Sequence, residues 1–137
     1  MNPFVYVIVA GTFELPPATE VIRYDQFVKG LFKPGTYAEE SMHAALGVCG
    51  EAGELGDAIK KHIIYNKPID RPNIVEELGD LQFYVAAIMN LYDISYSEVF
   101  QGNADKLSKR YVGLKYTDRA AIDRADKTTG ESDATNS

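Results

Sequence analysis

Apolar residues recur every three or four positions through most of the chain, the spacing that places them on one side of an α-helix. Breaks in this pattern fall at Lys33–Thr36, at Asn66–Pro68 and at Asp93–Ser95. The pattern therefore predicts four helices, over residues 18–32, from 36 or 37 to about 65, from 71 or 72 to about 92, and from 95 to about 111. Short loops between them favour an all-α fold, a mostly antiparallel four-helix bundle.

Capping signals support the predicted helix starts. Thr36 is followed by Glu39, and Ser95 is followed by Glu98, which is the spacing of a capping box. Pro72 suits the first turn of the third helix, where its missing N–H has no intrahelical partner.

The two ends of the chain differ from this helical part. Residues 4–10 are mainly β-branched and aromatic and are followed by glycine and two prolines, so residues 1–17 are expected to form a short strand or extended arm. From Thr117 onward the sequence is polar and small, which is typical of disorder. The predicted organisation is an N-terminal arm at 1–17, one helical domain at 18–116 and a disordered tail at 117–137.

Two acidic pairs stand out on the second and third predicted helices. Glu51 and Glu54 are three residues apart, and so are Glu77 and Asp80. Residues at this spacing project about 60° apart on one helix face. Because each pair borders an apolar stripe, we expect the two pairs to face one another when the helices pack.

Four converging carboxylates repel one another, which raises their pKa values unless protons or cations relieve the repulsion. An all-oxygen ligand set without cysteine favours Mg²⁺, or Mn²⁺, over zinc. Either pair alone would more often lie on a solvated face. The repetition on consecutive helices is what favours a metal site.

Glycines are frequent around these pairs, although each costs about 1 kcal/mol against alanine inside a helix. They lie at Gly47, Gly50, Gly53, Gly56 and Gly79. Two interpretations stay open: they make room for metal or ligand, or they let the helices pack closely.

A di-iron bundle is a competing interpretation, since it uses Glu-x-x-His on each of two helices. Glu40 and His43 provide one such motif, but Ile59 stands where His62 would need a glutamate. His43 and His62 are therefore expected to be surface or packing residues.

The charge balance limits the partners. The chain of 137 residues has 20 acidic and 14 basic side chains, a formal charge of −6 that would be −2 without the four carboxylates. Such a surface disfavours nucleic acid and anionic membranes. Cys49 is the only cysteine, which fits a reducing cytoplasm. The apolar segment near the N-terminus is too short to span a bilayer and has no basic region before it, so a cytoplasmic protein is expected.

With these residues in view, the chain resembles the MazG-like family of all-α nucleoside triphosphate pyrophosphohydrolases. The family signature, Glu-x-x-Glu followed by Glu-x-x-Asp, reads "EAGE" at 51–54 and "ELGD" at 77–80. The similarity covers about residues 36–111 and ends in "NADKLSKRY". It implies Mg²⁺-dependent hydrolysis of an NTP or dNTP to the monophosphate and pyrophosphate by a homodimer or homotetramer.

The resemblance also implies roles for individual residues. It makes metal ligands and catalytic groups of Glu51, Glu54, Glu77 and Asp80, and substrate-binding residues of Tyr84, Asn103, Lys106 and Arg110. Lys61 is added from its position two turns after Glu54, where it either reaches phosphate or is simply solvated. Val112 departs from the family, in which proline often follows the Arg-Tyr pair. The arm at 1–17 has no counterpart in the family pattern.

Two non-enzymatic alternatives stay open. The chain could be a nucleotide- and metal-binding module without turnover, or a structural helical oligomer that needs no metal. The first predicts that Mg²⁺ and nucleotide only raise thermal stability. The second predicts that metal has no effect on stability.

Overall fold

The computed structural model describes residues 23–127. In this range it contains a 3₁₀ turn at Val112–Leu114 and five α-helices: α1 (Tyr24–Leu31), α2 (Tyr37–Ile63), α3 (Arg71–Leu91), α4 (Tyr96–Arg110) and α5 (Asp118–Asp123). The described part has no strand, so the all-α prediction is confirmed there. The predicted arm at 1–17 lies outside the described residues. None of the helices described is both long enough and apolar enough to cross a membrane.

The chain divides into two compact units between Asp93 and Ile94. The first unit contains α1, α2 and α3, and the second contains α4, the 3₁₀ turn and α5. The prediction of a four-helix antiparallel bundle stays a prediction, since three of its helices belong to one unit and the fourth to the other.

Local capping explains where the helices begin. At Thr36 and at Ser95 both halves of the predicted capping box are present. Asp70 caps α3 by accepting a hydrogen bond from the backbone N–H of Asn73 at 3.1 Å. The first helix differs from its prediction because Arg23 is extended (φ −65°, ψ 138°), so the helix begins at Tyr24. Residues 18–22 lie outside the described range.

The helices α2 and α3 pack side by side in opposite directions. Later residues of α2 meet earlier residues of α3, in the pairs Tyr37 with Tyr92, Gly47 with Tyr84, and Glu51 with Glu77. The seven-residue connection between the helices is consistent with this antiparallel arrangement. This register is what brings the acidic segments of the two helices to the same level.

Small side chains form much of the core of the first unit. The buried apolar residues include Val28 on α1, Ala44 and Ala58 on α2, and Ala86, Ala87 and Met89 on α3. The helix α1 lies against the C-terminal half of α3, where the Asn90 side chain donates a hydrogen bond to the Asp25 carbonyl at 2.9 Å. Met42 and Leu46 remain 65% exposed, so α2 presents an apolar surface that α3 does not cover.

The prediction of disorder from Thr117 onward is wrong for residues 118–127. Thr117 caps α5 by accepting from the Ala120 N–H at 3.1 Å. Arg110 then binds Asp126 through two parallel hydrogen bonds of 2.7 and 2.8 Å, and the Asp126 side chain is only 1% exposed. This bidentate ion pair holds residues 118–127 in an ordered conformation, although the polar composition of that segment does not predict order. Residues 128–137 lie outside the described range.

Removal of the Asp126 charge is expected to release this segment. Arg110 holds the pKa of the Asp126 carboxyl at about 2, below its usual 3.8. The pairing therefore stabilises the folded segment fully above about pH 4, and this stabilisation is lost as the pH falls toward 2. In Asp126→Asn at neutral pH, NMR order parameters of residues 118–127 should fall below about 0.6.

The matched control for this prediction is Asp123→Asn. Its ion pair with Arg119 is exposed and measures 3.3 Å, so the same change of charge there should leave the segment ordered. Equal order in both variants would contradict the fastening role of Asp126.

Candidate metal centre

Three carboxylates from two helices converge in the first unit. Glu51 on α2 and Glu77 and Asp80 on α3 each offer an oxygen, and these oxygens lie within 4.8 Å of one another. The antiparallel register of α2 and α3 places them at the same level. We call these three residues the carboxylate cluster. The two acidic pairs were expected to face one another. The structure confirms this for Glu51 of the first pair and for both members of the second pair.

Glu77 is the buried member of the carboxylate cluster, with 7% exposure. Its Oε1 accepts a hydrogen bond of 2.6 Å from the side-chain amide of Asn73, one turn earlier on α3. Sequence reasoning missed Asn73, although its spacing four residues before Glu77 was a usable signal. The bond fixes the orientation of the Glu77 carboxylate within the carboxylate cluster.

The carboxylate cluster is electrostatically unfavourable without a proton or cation. Burial raises the pKa of Glu51, the negative charges of Glu54, Asp80 and Glu77 raise it further, and its protonated form hydrogen-bonds to Glu77. A divalent cation relieves the same repulsion that a proton relieves. Oxygen donors of this kind are the ligands that Mg²⁺ and Mn²⁺ prefer, so the donor set fits such an ion.

Glu54 lies outside the carboxylate cluster. It follows Glu51 by about one turn on α2 and its side chain is exposed, yet its charge is near enough to raise the pKa of Glu51. The structure thus brings three of the four predicted ligands together and sets the fourth beside them. An exposed carboxylate at that position can hold a water molecule next to a bound ion.

Tyr84 packs directly against α2. A Cβ added at Gly47 would overlap the Tyr84 ring, so this glycine permits close packing of the helices. The same ring belongs to an aromatic cluster with Phe32, His43 and Phe83, in which His43 and Tyr84 have centroids 5.7 Å apart. Its predicted role in lining a substrate site stays a prediction.

The other glycines of α2 and α3 have open surroundings. An added Cβ would meet nothing within 4 Å at Gly50, Gly53, Gly56 or Gly79. Of the two interpretations of the glycines, close helix packing therefore applies to Gly47. Room for a ligand stays open for the others, since the space beside them is free.

Replacement of Gly47 by alanine is expected to destabilise the first unit by about 1–3 kcal/mol, because the new methyl group forces Tyr84 to move. The control Gly56→Ala should instead stabilise it by about 1 kcal/mol, since alanine is the better helix former and the space is open. Urea denaturation followed by circular dichroism measures both. A stabilising Gly47→Ala would show that Tyr84 does not pack there.

The ammonium of Lys61 is engaged by Asp57 at 2.8 Å on an exposed part of α2. Hydrogen bonds from Lys60 and Lys61 lower the pKa of Asp57 to about 2. These three residues form a surface ion-pair group, which agrees with the solvated alternative for Lys61. Its phosphate contact stays a prediction.

Three predicted phosphate-binding residues lie in the second unit. Asn103, Lys106 and Arg110 follow one another at helical spacing and share one face of α4. Asn103 and Lys106 are exposed, whereas the guanidinium of Arg110 is held by Asp126. Their contacts with phosphate stay predictions. Sequence reasoning missed Asp126, because nothing local links it to a residue 16 positions earlier.

Comparison with known proteins identifies relatives of this chain. A family model of the MazG nucleotide pyrophosphohydrolase domain matches residues 39–113, more than half of the chain, and this range includes every predicted site residue. The Gene 37 protein of Mycobacterium phage L5 is 35% identical over 72 residues, which are 50% of this chain and 63% of that protein. The chain thus spans less than two thirds of that relative's length. No solved structure matches the present chain.

Proposed function

The chain belongs to the MazG nucleotide pyrophosphohydrolase family, and on this premise we propose that it hydrolyses a nucleoside or deoxynucleoside triphosphate to the monophosphate and pyrophosphate. The observation that carries the proposal is the convergence of Glu51, Glu77 and Asp80, whose oxygens lie within 4.8 Å of one another. Three acidic groups repel a triphosphate unless a cation stands between them. The cluster therefore supports a metal-dependent reaction on a polyanionic substrate.

Glu51, Glu77 and Asp80 would hold Mg²⁺, or Mn²⁺ in its place. Such a cation supplies neutralisation of the triphosphate charge and polarisation of the phosphoryl group that is attacked. The contribution of the chain is to keep the three carboxylates in position. The hydrogen bond from Asn73 to the buried Glu77 serves this purpose, as partners of metal ligands commonly do.

We assign Glu54 the role of general base. Its carboxylate accepts a proton from the attacking water as the water oxygen bonds to the α-phosphorus. The bond between the α-phosphorus and the bridging oxygen of the β-phosphate breaks, and pyrophosphate leaves with that oxygen. The exposed position of Glu54 outside the carboxylate cluster supports this division of roles.

The remaining substrate contacts are proposed from the family resemblance. Cationic and amide side chains stabilise negative charge on phosphate oxygens, which suits Lys61, Asn103, Lys106 and Arg110. Tyr84, one turn after Asp80, is proposed to line the substrate site. The open apolar surface of α2 around Met42 and Leu46 supports a homodimer or homotetramer. A cytoplasmic location stays a prediction.

Product analysis by ³¹P NMR tests this function against both alternatives. A panel of NTPs and dNTPs is incubated with the full chain, with Mg²⁺ and separately with a chelator. We expect the monophosphate and pyrophosphate to form only in the presence of Mg²⁺. A thermal shift from Mg²⁺ and nucleotide without any product would support the binding module. If neither a product nor a thermal shift is observed, the result would support a purely structural role.

A further inference from the structure

A second recess of the first unit lies away from the carboxylate cluster, where the chain enters α2. This half-open cleft has a volume of about 270 Å³ and is lined by Lys33, Pro34, Gly35, Glu39, Glu40 and His43. None of the roles assigned so far uses it. We call it the α2 entry cleft.

The polar groups of the α2 entry cleft are of two kinds. Glu39 is committed to the capping box, where its carboxylate accepts from Thr36. Glu40 accepts from the Gly35 N–H at 2.8 Å through Oε1, and its Oε2 has no hydrogen-bond partner among the described residues. Within residues 23–127, Lys33 has no ion pair or hydrogen bond. With respect to the described part of the chain, the cleft thus combines an unpaired carboxylate oxygen with an unpaired ammonium.

His43 forms the aromatic wall of the cleft. Its ring stacks on Phe32 with centroids 4.8 Å apart, and no hydrogen bond to its nitrogens exists in the part of the chain described. The residue is nevertheless exposed. An aromatic ring that is held by Phe32 and Tyr84 and is still exposed to the cleft is a suitable surface for a second flat ring.

The cleft and the carboxylate cluster lie along one face of α2. Glu40, His43, Gly47 and Glu51 follow at spacings of three, four and four residues, so they share that face. His43 precedes Glu51 by eight residues, which corresponds to about 12 Å along the helix axis. This is comparable to the length of an extended nucleoside triphosphate. The Tyr84 ring, packed on Gly47, occupies the level between them.

We propose that the α2 entry cleft binds the base of the nucleotide, with the base stacked on His43 and its edge contacted by Glu40 and Lys33. This inference rests on the proposed function and deepens it. The sugar then lies at the level of Tyr84, and the triphosphate extends along α2 with its α-phosphorus at the carboxylate cluster, next to Glu54.

The polar groups of the cleft select among bases. The carboxylate of Glu40 only accepts hydrogen bonds and the ammonium of Lys33 only donates them. Cytosine, adenine and guanine carry an exocyclic amino group that donates to a carboxylate, as in contacts of glutamate with cytosine N4. Uracil and thymine present a carbonyl oxygen there, which would face the Glu40 oxygen without a proton. The cleft therefore favours bases with an exocyclic amino group over uracil and thymine.

The selectivity is tested with CTP and UTP, whose bases differ in the group at C4 and in the proton on the neighbouring N3. The wild-type chain should show the higher kcat/KM for CTP. In Glu40→Gln the ratio of kcat/KM for CTP to kcat/KM for UTP should fall about tenfold, because the glutamine amide donates hydrogen bonds as well as accepting them. An unchanged ratio would overturn the assignment of Glu40.

The stacking is tested with His43→Ala and the matched control His62→Ala. His62 lies near the C-terminal end of α2 and bonds through Nδ1 to the Lys67 carbonyl at 2.8 Å. In His43→Ala, KM for CTP should rise about tenfold with kcat retained, whereas His62→Ala should match the wild type. Inhibition by inorganic tripolyphosphate, which has no base, should be equal in all three proteins. Weaker inhibition in His43→Ala would place His43 at the phosphates and overturn the proposal.

A binding readout separates failure of the cleft from failure of the reaction. Affinities for CMP and UMP are measured by calorimetry with the full chain, and they need no turnover. The cleft is supported if the wild type binds CMP more tightly than UMP and His43→Ala loses this affinity for CMP, even if no triphosphate is hydrolysed. Equal affinity of wild type and His43→Ala for CMP would overturn the cleft even if pyrophosphate is released.

Discussion

Glu54→Gln is expected to lower kcat for pyrophosphate release by about two to four orders of magnitude, the usual contribution of a general base. The side chain is exposed and lies outside the carboxylate cluster, so the fold and the binding of the divalent cation should both be retained. Pyrophosphate release measures the first expectation. Calorimetric titration with Mn²⁺ measures the second.

The matched control for Glu54→Gln is Glu76→Gln. Glu76 is an exposed acid next to Glu77 and is assigned no role, so the same loss of charge there should leave kcat within about threefold. If Glu54→Gln lost Mn²⁺ binding together with turnover, Glu54 would be a metal ligand instead of the base. Unchanged turnover would remove it from the reaction altogether.

Glu77→Gln is expected to have the second large effect, on the metal itself. Glu77 is the most buried member of the carboxylate cluster, and the substitution keeps its size and can keep its bond to Asn73. The affinity for Mn²⁺ should fall at least tenfold, because one anionic ligand is lost. The rise in melting temperature caused by Mn²⁺ should shrink accordingly, since a bound ion stabilises the folded state by mass action.

Melting curves without metal provide the complementary observation for Glu77→Gln. Removal of one of three mutually repelling charges should leave the metal-free chain at least as stable as the wild type. Asn73→Ala should give an intermediate Mn²⁺ affinity, because the ligand is kept but its orientation is not fixed. An unchanged Mn²⁺-induced shift in Glu77→Gln would mean that the carboxylate cluster does not hold the cation.

Helix starts were predictable from the sequence because the interactions that set them are local. The capping boxes of Thr36 with Glu39 and of Ser95 with Glu98 each connect residues three positions apart, and both are present. The start of α1 was not predictable in this way. Arg23 has no side-chain cap hydrogen bond, and its extended backbone leaves no composition signal.

The carboxylate cluster was predictable only in part. Helical periodicity indicated that the two acidic pairs border apolar stripes, which brought Glu51, Glu77 and Asp80 into the prediction. It did not separate Glu54 from them, because two residues about 60° apart on a helix are equally near a stripe until the register of the partner helix is known. That register is tertiary information, visible here in the packing of Tyr84 on Gly47.

Two features depended on contacts that composition does not encode. Residues 118–127 have the polar character of a disordered tail, but the Arg110–Asp126 ion pair joins positions 16 apart and orders them. The α2 entry cleft arises where the chain between α1 and α2 turns onto the first residues of α2, bringing Lys33 near His43. Lys33 carried no ligand signal in the sequence, and the Glu-x-x-His spacing of Glu40 and His43 indicated a metal motif and not a cleft.

Hydrolysis in ¹⁸O-labelled water tests the central claim most directly. The full chain is incubated with a nucleoside triphosphate and Mg²⁺ in this water. The products are then separated and their masses are determined by mass spectrometry. Attack at the α-phosphorus predicts that the label enters the monophosphate and that pyrophosphate carries none, with no reaction in the presence of a chelator. Label in pyrophosphate or orthophosphate, or product formation without a divalent cation, would contradict the account.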